Sequence, residues 1–137
     1  MDNQISTDDY SVKAIDLSPE GLKSLSELLI KAFAEPKLTK EYLYWLYKLN
    51  PAGEVIGYNA FFKNRLVSHY ALIPVNANYK GRKIKALHSV NTATNSEHQG
   101  KGLFSLLAKK TYKVGKTLKF EIVFGVANTK SIHGFIN

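Results

Sequence analysis

The segment Asn91-Thr-Ala-Thr-Asn-Ser-Glu-His-Gln-Gly-Lys-Gly-Leu-Phe104 concentrates the residues whose types and spacing could do chemistry. An apolar, strand-like run ends near Thr94. A loop with two glycines, Gly100 and Gly102, then opens directly into an amphipathic helical pattern. Glycines let a backbone approach a ligand closely, and the first helical turn offers unpaired N–H groups and the positive end of the helix dipole. Together they suit an anion such as phosphate. Lys101 lies between the glycines, and Lys109, Lys110, Lys113, Lys116 and Lys119 follow with no acid among them. Two phosphate-loop patterns do not fit. Gly115-Lys116-Thr117 has the ending of a Walker A loop, but the earlier glycine would fall at Lys110 and no strand precedes it. The dinucleotide pattern Gly-x-Gly-x-x-Gly breaks at Ser105, and it belongs in a parallel βαβ unit.

The surrounding elements must position this loop. Residues 10–17 read as a first strand. Ser18-Pro19 is an N-cap followed by proline at the first helical position, and Leu22, Leu25, Leu28, Leu29, Ala32 and Phe33 form one buried face before Glu35-Pro36. Thr39 caps a second helix, Lys40 to about Leu49, dense in Tyr42, Tyr44, Trp45 and Tyr47. Three strands follow, Val55–Phe62, Leu66–Ala77 and Ile84–Thr94, joined by Lys63-Asn64 and by Lys80-Gly81-Arg82. Such short polar connections predict an antiparallel meander, with Pro74 at a bulge or edge. A third helix after Gly102 buries Leu103, Leu106, Leu107 and Val114, with Phe104, Ala108 and Tyr112 beside them and Gly115 as its C-cap. Leu118–Ala127 reads as a strand buried on both faces, and a last helix begins at Asn128. The fold class is α/β (α+β): a mixed, mostly antiparallel central sheet flanked by helices, in the order β-α-α-β-β-β-α-β-(α). Residues 1–9 are expected as a flexible N-terminus and 10–137 as a single domain.

Glu97-His98-Gln99-Gly100-Lys101-Gly102-Leu103 resembles motif A of the GNAT superfamily of acyl-CoA-dependent N-acyltransferases, whose core is Arg/Gln-Gly-x-Gly followed by a small or apolar residue. That motif sits between the fourth strand and third helix, where the element order above puts it. Val126-Ala127-Asn128-Thr129-Lys130-Ser131 resembles the end of the family's fifth strand. The resemblance covers about residues 10–137. It implies that Gln99, Gly100, Lys101, Gly102, Leu103 and Phe104 wrap the pyrophosphate of coenzyme A. It also implies that the fourth strand splays from its neighbour and pairs with pantetheine, putting Thr92 and Thr94 beside the cofactor. Asn128 would meet pantetheine, with Ser131 nearby. The implied reaction moves an acetyl (acyl) group from acetyl-CoA to a primary amine.

The family's usual proton-donating tyrosine, seven residues after the asparagine, is here Phe135. On the fourth strand no carboxylate is present, and His88 is its one residue of a type that titrates near neutral pH. His88 is therefore the candidate catalytic base, against the plainer reading of a sheet histidine. His98 is expected to face phosphate or solvent, and no pattern assigns a role to His69 or His133. A complete family domain adds two strands after its last helix, so the chain is expected to be C-terminally truncated. An uncovered sheet edge would then favour self-association.

Charge and composition bound the alternatives. The 137 residues are 45% hydrophobic and 22% charged, as in a folded globular chain, and contain no cysteine. Disulfides, thiolate metal sites and a cysteine nucleophile are thereby excluded, and no metal site is expected. No apolar run reaches the roughly 20 residues of a membrane span, and the polar, acidic N-terminus lacks the features of a signal peptide, so the expected location is cytoplasmic. Residues 1–41 carry eight acids against five lysines, whereas residues 42–137 carry fourteen Lys/Arg against three acids. A basic half suits a polyanion or a phosphorylated small molecule. A catalytically degenerate CoA-binding domain is the alternative of a different class. A nucleic-acid-binding module ranks third, because the base-reading helix and aromatic sheet motif of such modules are missing. The acceptor stays open among amino sugars, polyamines, peptides and antibiotics, with the aromatic helix and Asn50-Pro51-Ala52-Gly53 expected to face it.

Overall fold

The computed structural model describes residues 9–125. Its elements are β1 (Tyr10–Ala14), α1 (Pro19–Phe33), α2 (Lys40–Tyr47), β2 (Ile56–Phe62), β3 (Arg65–Tyr79), β4 (Arg82–Thr94), α3 (Leu103–Thr117) and β5 (Ile122–Phe124). The sheet runs β1-β2-β3-β4-β5, antiparallel throughout except for the parallel β4–β5 pair. Through β5 this is the mixed α/β architecture and element order expected from the sequence; the last helix, expected from Asn128, lies outside the described residues.

Local chemistry explains most boundaries. Ser18 and Thr39 accept hydrogen bonds from the amides of Gly21 and Tyr42, so each caps its helix as the sequence indicates. Strand β1 stops at Ala14, short of Leu17, because Asp16 turns the chain: its Oδ1 accepts from the Ser18 amide at 2.9 Å. Both hairpins have left-handed turn residues, Lys63 and Asn64 in one and Lys80 and Gly81 in the other, which match the strands' twist.

Alternation along the strands divides the core between two faces. Tyr70 and Leu72 of β3 join Leu87, Leu103, Leu107 and Ala108 beneath α3. Ala71 and Ile73 join Leu22, Leu25, Leu29, Leu43 and Tyr47 beneath α1 and α2. Each fully buried leucine contributes on the order of 2 kcal/mol. Ala32 and Phe33 continue the apolar spacing of α1 yet are exposed, because periodicity defines a stripe without fixing how far the opposing surface reaches. Pro74 occupies an edge position of a kind. Strand β2 ends at the Ile56–Leu72 pair, so β3 continues past it with β4 as its partner, and Pro74 pairs with Leu87.

Two expectations at the C-terminal side are corrected. Gly115 is not the C-cap of α3. It lies buried within the helix, where an added Cβ would come 3.0 Å from Leu87 Cδ1, so its role is close helix–sheet approach. The helix instead closes at Lys119, left-handed with φ 65°. There the Phe120 amide donates to the Gly115 carbonyl at 3.0 Å and the Lys119 amide to the Lys116 carbonyl at 3.0 Å, a Schellman turn with lysine in the usual glycine place. That turn uses Leu118–Phe120, so β5 begins only at Ile122. Its residues Ile122, Val123 and Phe124 are exposed rather than buried on both faces.

Gly57 on β2 gives a test of the sheet's packing. A Cβ there would overlap the Tyr70 carbonyl oxygen and lie 2.6 Å from Ile15 Cδ1. Backbone cannot move aside as a side chain can. Gly57→Ala is expected to destabilise the fold by about 3 kcal/mol, read as a lowered urea midpoint. An unchanged midpoint would show that β2 and β3 are not held at this spacing.

Candidate functional site

Strand β4 has β5 as its parallel neighbour over the described residues. It pairs with β5 through Ala86–Ile122, Leu87–Val123 and His88–Phe124. Beyond His88, among the described residues, Ser89–Thr94 have a strand partner on the β3 side only. Within that stretch Val90 faces Ala71 and Ala93 faces His69, so Asn91 and Thr92 together oppose Tyr70. This is a bulge on β4, and Asn91 takes φ 57° there. His88 lies in the last described β4–β5 pair, half-buried, its ring stacked on Phe124 at 4.8 Å and 9°.

The glycine loop starts where β4 ends. The Asn95 amide donates to the Val67 carbonyl at 2.7 Å, and Asn95 Oδ1 accepts from the Glu97 amide at 2.9 Å. This side-chain turn opens the short 3-10 helix Ser96–His98. His98 is buried, joined through Nδ1 to the Tyr10 hydroxyl at 2.7 Å and packed against Phe62. It anchors the loop to β1, so the expectation that it faces phosphate or solvent is corrected. An isolated histidine in a polar loop gives no sequence signal of such burial.

Gln99, exposed, returns its Nε2 to the Thr94 carbonyl at 3.2 Å. Gly100 and Gly102 are both left-handed, with φ 76° and 77°, and a Cβ added to either would meet no atom within 4 Å. The loop therefore presents backbone and open space where side chains would otherwise stand. Lys101 between them is half-buried. Gly102 is the N-cap of α3 and has no side chain to offer the first turn, which holds no acid. The helix is fixed beneath by Leu103 and Leu107, both fully buried, and by the edge contact of Phe104 on Tyr70 at 5.5 Å. The Tyr70 and Tyr112 hydroxyls bond at 2.8 Å, and burial pushes the Tyr70 hydroxyl above its ordinary value.

The two threonines differ. Thr94 Oγ1 is bonded to Ser68 Oγ at 2.8 Å, whereas Thr92 Oγ1 is buried with no hydrogen-bond partner among the described residues. Buried hydroxyls are normally satisfied, so this orphan marks a place for another group. The structure thus brings Thr92, Thr94, Gln99, Gly100, Lys101, Gly102, Leu103 and Phe104 into one strand–loop–helix unit, with His88 on the same strand. Asn128, Ser131, His133 and Phe135 lie outside the described residues. Among the described residues no group of three His, Asp or Glu could hold a metal ion.

A glycine loop leading from the end of β4 into the N-terminus of α3 stands where the sequence resemblance places motif A. The acetyltransferase (GNAT) domain family matches residues 13–134. The chain belongs to the GNAT acetyltransferase family. The general chemistry of that family is acyl transfer. No curated protein matches the chain. Solved structures of similar fold include a probable N-acyltransferase from Enterococcus faecalis, at 18% identity and TM-score 0.76, covering 92% of this chain and 31% of that one. The chain therefore spans less than a third of that protein's length. A predicted acetyltransferase from Clostridium acetobutylicum, solved with acetyl-CoA, is similar at 16% identity and TM-score 0.71, covering 93% of this GNAT chain and 86% of that one. An aminoglycoside acetyltransferase from an uncultured soil metagenomic sample is similar at 16% identity and TM-score 0.69, covering 88% and 80%. At these identities the likeness is one of fold. Among the described residues of the GNAT chain no helix is long and apolar enough to cross a membrane.

Sequence reasoning missed a buried polar group beside the β4 bulge. His69 is fully buried, with Nδ1 2.7 Å from Asn59 Oδ1 and Nε2 2.9 Å from the Tyr47 hydroxyl. Burial alone pushes its imidazole down to about 3, so it is neutral, and burial pushes the Tyr47 hydroxyl up. A histidine and an asparagine in neighbouring apolar strands, Asn59 and His69, were the only trace of it in the sequence.

Proposed function

We propose that this GNAT chain transfers an acetyl, or more broadly an acyl, group from acetyl-CoA to a primary amine. The observation that carries the reading is the loop Gln99–Gly102. Two left-handed glycines with open space beside them lead into the N-terminus of a helix whose first turn has no acid. Backbone donors so arranged suit a diphosphate, and the half-buried Lys101 between the glycines adds favourable charge beside them. The orphaned Thr92 hydroxyl and the β4 edge beyond His88 suit a polar, extended arm such as pantetheine. The residues present therefore fit acyl-CoA, and the Clostridium structure with acetyl-CoA supports the choice of ligand.

Bound acyl-CoA would supply an acyl group already activated as a thioester. The chain's own residues would do the rest. Gly100 and Gly102 leave the loop amides open to the phosphates, and Lys101 offsets their charge. The β4 edge from Ser89 to Thr94 orients the arm through backbone hydrogen bonds. Backbone N–H groups along β4 beyond His88 are suited to negative charge developing on a carbonyl oxygen. His88 accepts a proton at its imidazole from the acceptor's ammonium, leaving a neutral amine to attack; the C–N bond would form as the thioester C–S bond breaks, and the departing thiolate would take a proton from solvent.

The test is free-thiol release from acetyl-CoA against a panel of amino sugars, polyamines, aminoglycosides and peptides. Release dependent on at least one amine is expected, and His88→Gln should lower kcat by about 10²-fold or more with little change in acetyl-CoA affinity. Saturable acetyl-CoA binding with no thiol release across the panel would favour a CoA-binding domain without catalysis. Full activity in His88→Gln would return His88 to a sheet histidine.

A further inference from the structure

Six non-glycine residues among those described have positive φ, and five of them stand in turns or at helix ends: Ala34, Lys63, Asn64, Lys80 and Lys119. Asn91 is the exception, left-handed in the interior of a strand. A side chain makes that conformation unfavourable, and asparagine tolerates it best when its amide is hydrogen-bonded. The Asn91 amide is so held. Its Nδ2 donates to the Tyr47 hydroxyl at 3.3 Å, and the hydroxyl donates to His69 Nε2 at 2.9 Å. His69 Nδ1 in turn donates to Asn59 Oδ1 at 2.7 Å. Every link has a donor and an acceptor, so the direction of the chain is fixed from Asn91 to Asn59. Three of the four side chains are essentially fully buried, and they come from α2, β2 and β3. His69 also stands directly beside the bulge, paired with Ala93.

We propose that Asn59, His69 and Tyr47 form a buried positioning relay that holds Asn91 left-handed and so sets the β4 bulge at the edge where acyl-CoA lies. Naming acyl-CoA at that edge rests on the function proposed above; the relay's hold on Asn91 does not. None of the four touches reacting atoms. Their work is to aim the backbone of Asn91 and the neighbouring unpartnered Thr92 hydroxyl. A structural role alone would be served by any well-packed apolar cluster, and would not need the one described strand residue with this backbone to be its terminus.

The test compares Tyr47→Phe, Asn91→Ala, Asn91→Gly and the double variant Tyr47→Phe/Asn91→Gly. Glycine takes the left-handed conformation without an anchor. The first readout is NMR without ligand: Tyr47→Phe should abolish the left-handed chemical-shift signature of Asn91 and speed amide exchange in Ser89–Thr94 but not in β1. Unchanged shifts and exchange would overturn the relay. The second readout is affinity by calorimetry. Acetyl-CoA should bind about tenfold more weakly to Tyr47→Phe and Asn91→Ala, the scale of one buried hydrogen bond. Adenosine 3′,5′-bisphosphate, which lacks the pantetheine arm, should bind all variants alike. Asn91→Gly should stay near wild type, and adding Tyr47→Phe to it should cost less than about threefold. Equal losses for both ligands, or a full tenfold loss in the glycine background, would overturn the link from relay to ligand edge. A wild-type chain that binds neither ligand would refute the acyl-CoA reading and with it that link, and the NMR result would decide the hold on Asn91 alone.

Discussion

Replacing Gly102 by valine is expected to abolish acetyl-CoA binding while the far-UV circular dichroism stays near native. Gly102 has φ 77°, and a Cβ there meets no protein atom within 4 Å, so the fold has room for a side chain. The room lies against the loop amides, where phosphate oxygens would have to approach. Helix α3 keeps its place because Leu103 and Leu107 are buried beneath it. Losing two or so charge-assisted hydrogen bonds amounts to roughly 3 kcal/mol, or about 100-fold in affinity. Valine also strains the left-handed backbone, so Gly102→Asn is the informative companion. Asparagine accepts that conformation yet still fills the space. Both variants should lose binding by calorimetry. If asparagine restores it, backbone conformation rather than open space is what the ligand needs.

Acidification is expected to destabilise the protein through His69. Its folded-state value is depressed to about 3 by burial, against an ordinary value near 6.5 in the unfolded chain. The unfolded state therefore binds the proton first as pH falls. Stability from this group is complete above about pH 6.5 and is lost progressively down to about pH 3. At pH 4.5 the loss is roughly 2–3 kcal/mol, a large share of a small domain's stability. Asp16, held low by the Ser18 amide and hydroxyl, acts in the same direction at more acidic pH. Urea unfolding at pH 7 and pH 4.5 checks the sign and size, with His69→Gln as the reference. The pH-dependent loss should shrink in that variant, even though its stability at pH 7 is lower. An equal loss in both proteins would mean that His69 is already charged, or solvated, in the folded state.

What was legible in the sequence follows from how local each signal is. The two helix caps, Ser18 and Thr39, and the two hairpin turns depend on neighbours within four residues, and all four stand where the pattern puts them. The glycine loop was equally readable, because Gly100 and Gly102 act through their own backbone. Gly115 was misread because its reason lies across the core at Leu87. The late start of β5 has a similar origin: a lysine, Lys119, does the left-handed work usually given to glycine. Least legible was the group around His69. Its four members are spread from Tyr47 to Asn91, and only the register of β2, β3 and β4 with α2 brings them together. The burial of His98 against Tyr10, 88 residues away, was hidden for the same reason.

The most direct test of the account is a titration of the ¹⁵N-labelled chain with acetyl-CoA, followed by NMR. Saturable shifts are predicted at Thr92, Thr94 and Gln99–Phe104, with α1 and β1 left nearly unmoved. Absence of saturable binding, or shifts centred on α1 instead, would contradict the claim that β4 beyond His88 and the glycine loop before α3 are an acyl-CoA site.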